Sequence, residues 1–174
     1  MEKAVWIQKD HPDYDGMKWV SRAVRKAADE GEPALSHIEI AGSVAVACDG
    51  ARLHEYQLTA PEHFPNGIYR PFVLKGNLIF LLNEDPPFAY PSSASLFPVE
   101  EPIKKLHISR GKGCLFDWAY TQVVRNVSEQ VTVQIRILEE MLCGGVNWDV
   151  LLFEEARVLV FTASNMRGLI MPMG

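Results

Sequence analysis

Lys18, Arg22 and Arg25 stand at i, i+4 and i+7, the spacing that gathers three cations on one side of a helix. Ammonium and guanidinium groups so placed can meet phosphate oxygens without reading base identity. Lys26 adjoins them in sequence. The same spacing also suits a solvated helix face balanced by acids elsewhere. His11 lies among Asp10, Asp13 and Asp15, residue types that bind metals. The set lacks the Asn/Asp alternation and distal Glu of a calcium loop, so a polar loop with Asp15 as a helix cap accounts for it better. Glu139 and Glu140 are neighbours on a helix and point in different directions, unlike a two-acid catalytic pair. Arg110-Gly111-Lys112-Gly113 reads as a turn, because a phosphate loop needs more glycines in register and a helix start carrying Lys-Ser/Thr. No GxGxxG, GxSxG, HExxH or CxxC string occurs, and His11, His37, His54, His63 and His107 are scattered. No coherent nucleophile and base emerge, and no cofactor is expected.

Two apolar features have binding potential. Met171 and Met173 flank Pro172 in a terminal apolar strand, and methionines adapt to varied partners; core or edge packing explains them as well. Tyr14, Trp19, Trp118 and Tyr120 form no stacking platform with the basic set.

The elements that must position these residues follow from periodicity and breakers. Residues 3–8 read as a strand, and Met17 to Asp29 as a helix with Val20, Ala23, Val24 and Ala27 on one side. Strands at about 36–40 and 44–48 follow, then the Asp49-Gly50 hairpin signal and a return strand over about 52–58. Strands are expected at 67–73, 77–82 and 103–108, with residues 83–98 as a long surface loop; 116–124 is ambiguous between strand and helix. Toward the end come a strand over 130–135, a short helix over 136–142, and strands at 149–153, 157–161 and 168–173. The chain thus repeats a β-α-β-β-β unit, over about 1–58 and 130–174, around an expanded middle of 59–129.

Bulk properties bound the partners. The 174 residues fit one domain or two small ones, and 48% hydrophobic content can fill a core. With 17 Lys+Arg against 22 Asp+Glu the net charge is -5, which argues against a wholly basic nucleic-acid binder but allows a local basic face. Cys48, Cys114 and Cys143 are too far apart for a clustered zinc site and odd in number, so a reducing, cytoplasmic setting is expected. The first residues lack the apolar core of a signal peptide, and no uninterrupted apolar run approaches the roughly 20 residues that span a bilayer.

The opening helix, the hairpin Asp49-Gly50-Ala51-Arg52-Leu53 and the terminal Ile170-Met171-Pro172-Met173 resemble a domain of the bacterial DNA polymerase III beta subunit, the replication sliding clamp. The resemblance covers about 1–58 and 130–174. It implies an α+β, DNA-clamp-like single domain over 1–174, with helices on one face of an antiparallel sheet and no catalytic activity. Clamps encircle duplex DNA, with helices facing the hole and six pseudo-equivalent domains closing the ring, so an all-self ring of this chain would need six copies. The resemblance implies duplex DNA without base specificity, a replication or repair peptide and a homo-oligomer as partners. Lys18, Arg22, Arg25, Lys26 and Arg52 would contact phosphates, Arg52 alternatively supporting its hairpin. Ile170, Met171, Pro172 and Met173 would form part of a peptide groove. The acidic pair Glu139 and Glu140 on the second helix would repel phosphates if it faced inward.

Overall fold

The computed structural model of the chain describes residues 3–25, 32–108, 133–142, 147–153 and 157–171. The elements are β1 (Ala4–Ile7), α1 (Tyr14–Val20), β2 (Ile38–Ala41), β3 (Val44–Cys48), β4 (Arg52–Gln57), β5 (Gly67–Leu74), β6 (Asn77–Asn83), β7 (Lys104–Ile108), α2 (Ile135–Leu142), β8 (Trp148–Phe153), β9 (Val158–Ala163) and β10 (Met166–Ile170). All ten strands join one antiparallel sheet in the order β1-β6-β5-β2-β3-β4-β10-β9-β8-β7. The meanders β2-β3-β4 and β8-β9-β10 meet at the β4–β10 ladder, where Leu53 pairs with Leu169. In the second repeat the opening strand β7 lies directly beside β8. In the first repeat the β5-β6 hairpin stands between β1 and β2.

Strand alternation divides the apolar residues between two faces. On one face Ala45, Ala47, Tyr69, Phe80 and Phe161 meet Met17, Trp19 and Val20 of α1 and Ile137, Leu138 and Met141 of α2. Both helices therefore cover the same side of the sheet. On the other face Val46, Cys48, Leu53, Val160 and Leu169 pack with Phe97 and Tyr90. Each large side chain so buried contributes about 1.5–3 kcal/mol.

Close approach of helix and sheet rests on two glycines. A Cβ on Gly16 in α1 would lie 2.2 Å from the Tyr56 ring, and one on Gly168 in β10 would lie 2.3 Å from Met141 Sδ. The Tyr56 ring cannot yield, because its hydroxyl donates to Asp13 Oδ1 at 2.9 Å. Asp13 also accepts the backbone N–H groups of Thr59 at 2.6 Å and Ala60 at 3.0 Å. Burial acts to raise the Asp13 pKa, but these donors outweigh it and hold the carboxyl below its ordinary value.

Several expectations change. The first helix begins at Tyr14, ends at Val20, passes through a 3-10 turn at Ser21–Ala23 and becomes extended at Val24 rather than continuing beyond it. Arg25 N–H then bonds the Leu35 carbonyl, a long-range partner that outcompetes another helical turn. Asp15 sits in the first turn; Asp13 holds the cap position, yet its side chain turns to Thr59 and Ala60 instead. The expected strand over 130–135 gives way to helix at Ile135, because Ile137, Leu138 and Met141 bury one face at helical spacing. Residues 130–132 lie outside the described set. The second repeat opens instead with β7. The 83–98 loop is no plain surface excursion, since its Phe97 and Tyr90 cover the outer core. Arg110–Gly113 and 116–124, with Cys114, Trp118 and Tyr120, and also Cys143, lie outside the described residues.

Replacing Gly16 with Ala sets helix propensity against sterics. Propensity favours Ala by about 1 kcal/mol; the collision with Tyr56 makes the expected net change a loss of about 1–3 kcal/mol, read from the urea midpoint of the variant. An increase in stability would mean that the helix does not press on Tyr56.

Candidate nucleic-acid interface

The tip of the β3–β4 hairpin is fixed by its own side chains. Gly50 takes φ +90, a left-handed conformation open to glycine. Asp49 Oδ1 accepts the N–H groups of Ala51 and Arg52, each at 3.0 Å, while Asp49 Oδ2 accepts Arg52 Nε at 3.0 Å. The remaining guanidinium nitrogens of Arg52 reach out of the hairpin. Nη2 donates to the Arg22 carbonyl, and Nη1 lies 2.5 Å from Glu140 Oε2 on α2. Arg52 is thus buried among three elements: the hairpin, the turn after α1, and α2.

Arg25 braces the same tip from outside, its Nε donating to the Asp49 carbonyl at 3.0 Å. It also pairs with Glu32 at 3.3 Å in a largely exposed contact. Glu140 accepts Arg136 Nε at 3.1 Å through its other oxygen. Burial would raise the Glu140 pKa, but Arg52 and Arg136 hold it below the ordinary value. The carboxylate that sequence reasoning set against phosphate is therefore offset by two guanidinium groups, and Glu139 is exposed.

Beside this cluster the helix-bearing face opens into a groove of about 820 Å³. Lys18, Arg22, Arg25 and Arg136 line it, with Arg52, Asp49 and Glu140 in its wall and Pro71, Val73 and Leu78 on its apolar side. The helix ends before Arg22, so the three expected cations come from a helix, a 3-10 turn and an extended segment, yet they still share one groove. Among the described residues no carboxylate pairs with Lys18 or Arg22. Lys18 is exposed, its Nζ 5.7 Å from the Tyr14 ring centroid. Lys26 lies outside the described residues. Arg136 is not among the cations expected from the sequence; its i,i+4 relation to Glu140 is the signal that the sequence holds.

Two expected site residues are committed to the scaffold. Arg52 is 5% exposed and committed to Asp49, Glu140 and the Arg22 carbonyl, the hairpin-supporting alternative of its two readings. Ile170 is 1% exposed and belongs to the helix-side core, so it does not line a peptide groove. Met171 packs at the margin of the outer cluster, its N–H bonding the Ala51 carbonyl at 2.8 Å. Pro172 and Met173 lie outside the described residues.

Beneath the groove an aromatic stack ties the repeats together. Trp19 Nε1 donates to the Met141 carbonyl at 2.9 Å, satisfying one of the acceptors that a helix end leaves open. Its ring stacks on His54 at 4.0 Å and 15°. His54 is wholly buried and its Nδ1 donates to the Trp19 carbonyl at 2.8 Å. Desolvation lowers its pKa to about 3 despite that bond, with Arg52 and Arg22 adding to the fall. At the other end of α1, His11 Nδ1 accepts the Asp13 N–H. The hydrogen bonds therefore put the His11 proton on Nε2, which donates to His63 Nδ1 at 2.8 Å. That tautomer offers a cation no lone pair from His11.

This arrangement of sheet and helices is that of a DNA-clamp domain. Solved structures that it resembles include bacterial β sliding clamps. The Helicobacter pylori β clamp bound to a DNA ligase peptide superposes with a TM-score of 0.59 and 12% identity, covering 98% of this chain and 65% of that one. The Bacillus subtilis clamp gives 0.59 and 14%, over 99% and 64%. The Pseudomonas aeruginosa clamp gives 0.58 and 12%, over 98% and 66%. The chain thus spans just under two thirds of the length of these clamps, and the likeness is one of fold. No protein-family model and no curated protein sequence matches it.

Two outcomes separate scaffold from surface in this site. Arg52→Ala leaves Glu140 and Asp49 without their shared partner and is expected to cost about 2–4 kcal/mol, whereas Lys18→Ala stays within about 0.5 kcal/mol of the parent; urea denaturation of both variants reads the difference. The second outcome concerns acid. The folded state binds the His54 proton only near pH 3, while the unfolded chain binds it near 6.5. Stability contributed by neutral His54 is therefore full above pH 6.5 and falls on acidification, with a slope approaching about 1.4 kcal/mol per pH unit. Denaturation of His54→Gln across this range should show a shallower acid slope, and an unchanged slope would remove His54 from the groups that drive acid unfolding.

Proposed function

We propose that this chain is a non-enzymatic, clamp-type module of DNA replication or repair that holds duplex DNA through its phosphates. The observation carrying this reading is the convergence of Lys18, Arg22, Arg25 and Arg136 on one groove of the helix-bearing face. Lys18, Arg22 and Arg136 supply the phosphate contacts, with Lys26 next to Arg25 in sequence. Arg52 and the main-chain bond of Arg25 set the groove's shape. Release of counterions from the duplex drives such binding and makes it steeply salt-dependent without base preference. Encircling a duplex requires several copies, so a cytoplasmic homo-oligomer around DNA is part of the proposal. A peptide from a replication or repair protein is the second partner class, in keeping with the ligase peptide held by the Helicobacter pylori clamp.

A second reading keeps the fold and drops the DNA: a structural or protein-interaction module. Exposed Trp6, Phe72 and Leu74 on the sheet favour it. Fluorescence anisotropy with a short labelled duplex, compared at about 50 and 200 mM salt, distinguishes the two. The DNA reading expects Lys18→Glu/Arg22→Glu to weaken binding at least about tenfold and to reduce the log–log salt slope by about 2. Equal affinity of parent and variant would overturn the assignment. Retention on circular but not linear duplex, read from solution mass, would support a closed ring.

A further inference from the structure

The outer face of the sheet is covered unevenly. The segment between β6 and β7 lays Phe97 and Tyr90 over Val46, Cys48, Val160 and Leu169, and Arg167 lies 3.5 Å over the Phe97 ring centroid. Ser93 Oγ secures the segment to Glu55 at 2.9 Å. The wing formed by β1, β6 and β5 stands outside this cover. Its register places Trp6 opposite Ile79, and Ile79 opposite Phe72, so these three form one row across three strands on the outer face. Leu78 and Phe80, by contrast, turn to the helix side. Trp6 is 58% exposed, Phe72 41% and Leu74 50%. Contiguous exposed apolar area of this kind marks interaction surfaces.

The wing also ends in an open strand. Among the described residues β1 pairs with β6 alone. Leu82 N–H bonds the Lys3 carbonyl at 2.9 Å, so alternation directs the main-chain groups of Val5 and Ile7 to β6 and those of Ala4 and Trp6 to the free edge. Those groups are a template for another strand. The surroundings are basic although the chain carries a net charge of -5. Lys9 lies against the Lys75-Gly76 turn, and Arg70 stacks 5.5 Å from the Phe72 centroid. Among the described residues no carboxylate pairs with Lys9, Arg70 or Lys75. Glu84 at the other end is occupied by Lys3 at 3.1 Å.

We propose that the β1 edge and the Trp6–Ile79–Phe72 row form a docking surface for an extended, acidic segment of another protein. The segment adds as an eleventh strand against Ala4 and Trp6. It places apolar side chains over Trp6 and carboxylates toward Lys9 and Lys75. Main-chain pairing supplies affinity, and the aromatic row and basic rim supply selectivity. Phe72 and Arg70 also border the groove, whereas Trp6, Ile79, Lys9 and Lys75 lie outside its lining; the strand-pairing edge is therefore separate from the groove and does not depend on DNA binding.

The probe is a short synthetic labelled peptide alternating Leu or Phe with Glu or Asp, titrated with the full chain by anisotropy. Saturable binding is expected, weakened at least about tenfold by Trp6→Ala and by Lys9→Glu/Lys75→Glu. Ala4→Pro, which removes only an edge-facing N–H, should weaken it as well, a loss that docking on the face alone would not produce. Duplex DNA affinity should be the same for the parent and Trp6→Ala. The proposal is overturned if all three variants bind the peptide like the parent, or if a counterpart with Lys in place of the acids binds equally. A concentration-dependent dimer abolished by Trp6→Ala would overturn it too, since a second copy would then be the occupant.

Discussion

Arg52 fastens the two halves of the chain to each other. Its guanidinium leaves water to sit between Asp49, Glu140 and the Arg22 carbonyl, three partners from three elements. Burying a charge is costly unless each donor finds an acceptor, and a planar guanidinium can serve several acceptors at fixed angles. That geometry sets the distance between the β3–β4 hairpin, the turn after α1 and the last turn of α2. The groove on the helix side has its width because Arg52 holds these walls. Arg52 occupies Asp49 and shares Glu140 with Arg136, Arg25 pairs with Glu32, and among the described residues Lys18 and Arg22 have no carboxylate partner.

The Trp19–His54 stack works on the same junction from the apolar side. A neutral imidazole packed flat on an indole fills the space between α1 and β4 while keeping its one N–H bonded. The indole N–H then crosses to the last turn of α2. Polar fastening around Arg52 and the aromatic packing below it both join residues thirty or more positions apart in sequence. The two repeats therefore share a core as well as the continuous ladder at β4 and β10.

The sheet separates two kinds of surface. Its helix face is shaped by the small residues Ala45, Ala47 and Gly168, which with Gly16 of α1 let the helices lie close and leave a basic margin. Its outer face is sealed at the centre by the segment after β6 and bare on the wing that the β5-β6 hairpin extends. The inserted hairpin is thus more than added length. It moves β1 two strands outward, to the end of the sheet, and gives the first repeat an edge unlike that of the second.

The α+β class, most of the strand positions, though not 130–135, and the Asp49-Gly50 turn were legible in the sequence alone, because alternation and turn chemistry are local and act within a few residues. The sequence also placed Lys18, Arg22 and Arg25 near one another, since any compact turn after α1 keeps them close. Tertiary structure decided where the first helix stops, that residues 133–135 lead into helix, and that β5-β6 enters the sheet beside β1. It also decided the fates of Arg52 and Ile170. Each of those depends on a partner distant in the chain: Leu35 for Arg25, Glu140 for Arg52, the helix-side core for Ile170. Burial and ion pairing are settled by what the fold brings alongside, and neighbouring residues carry no record of it.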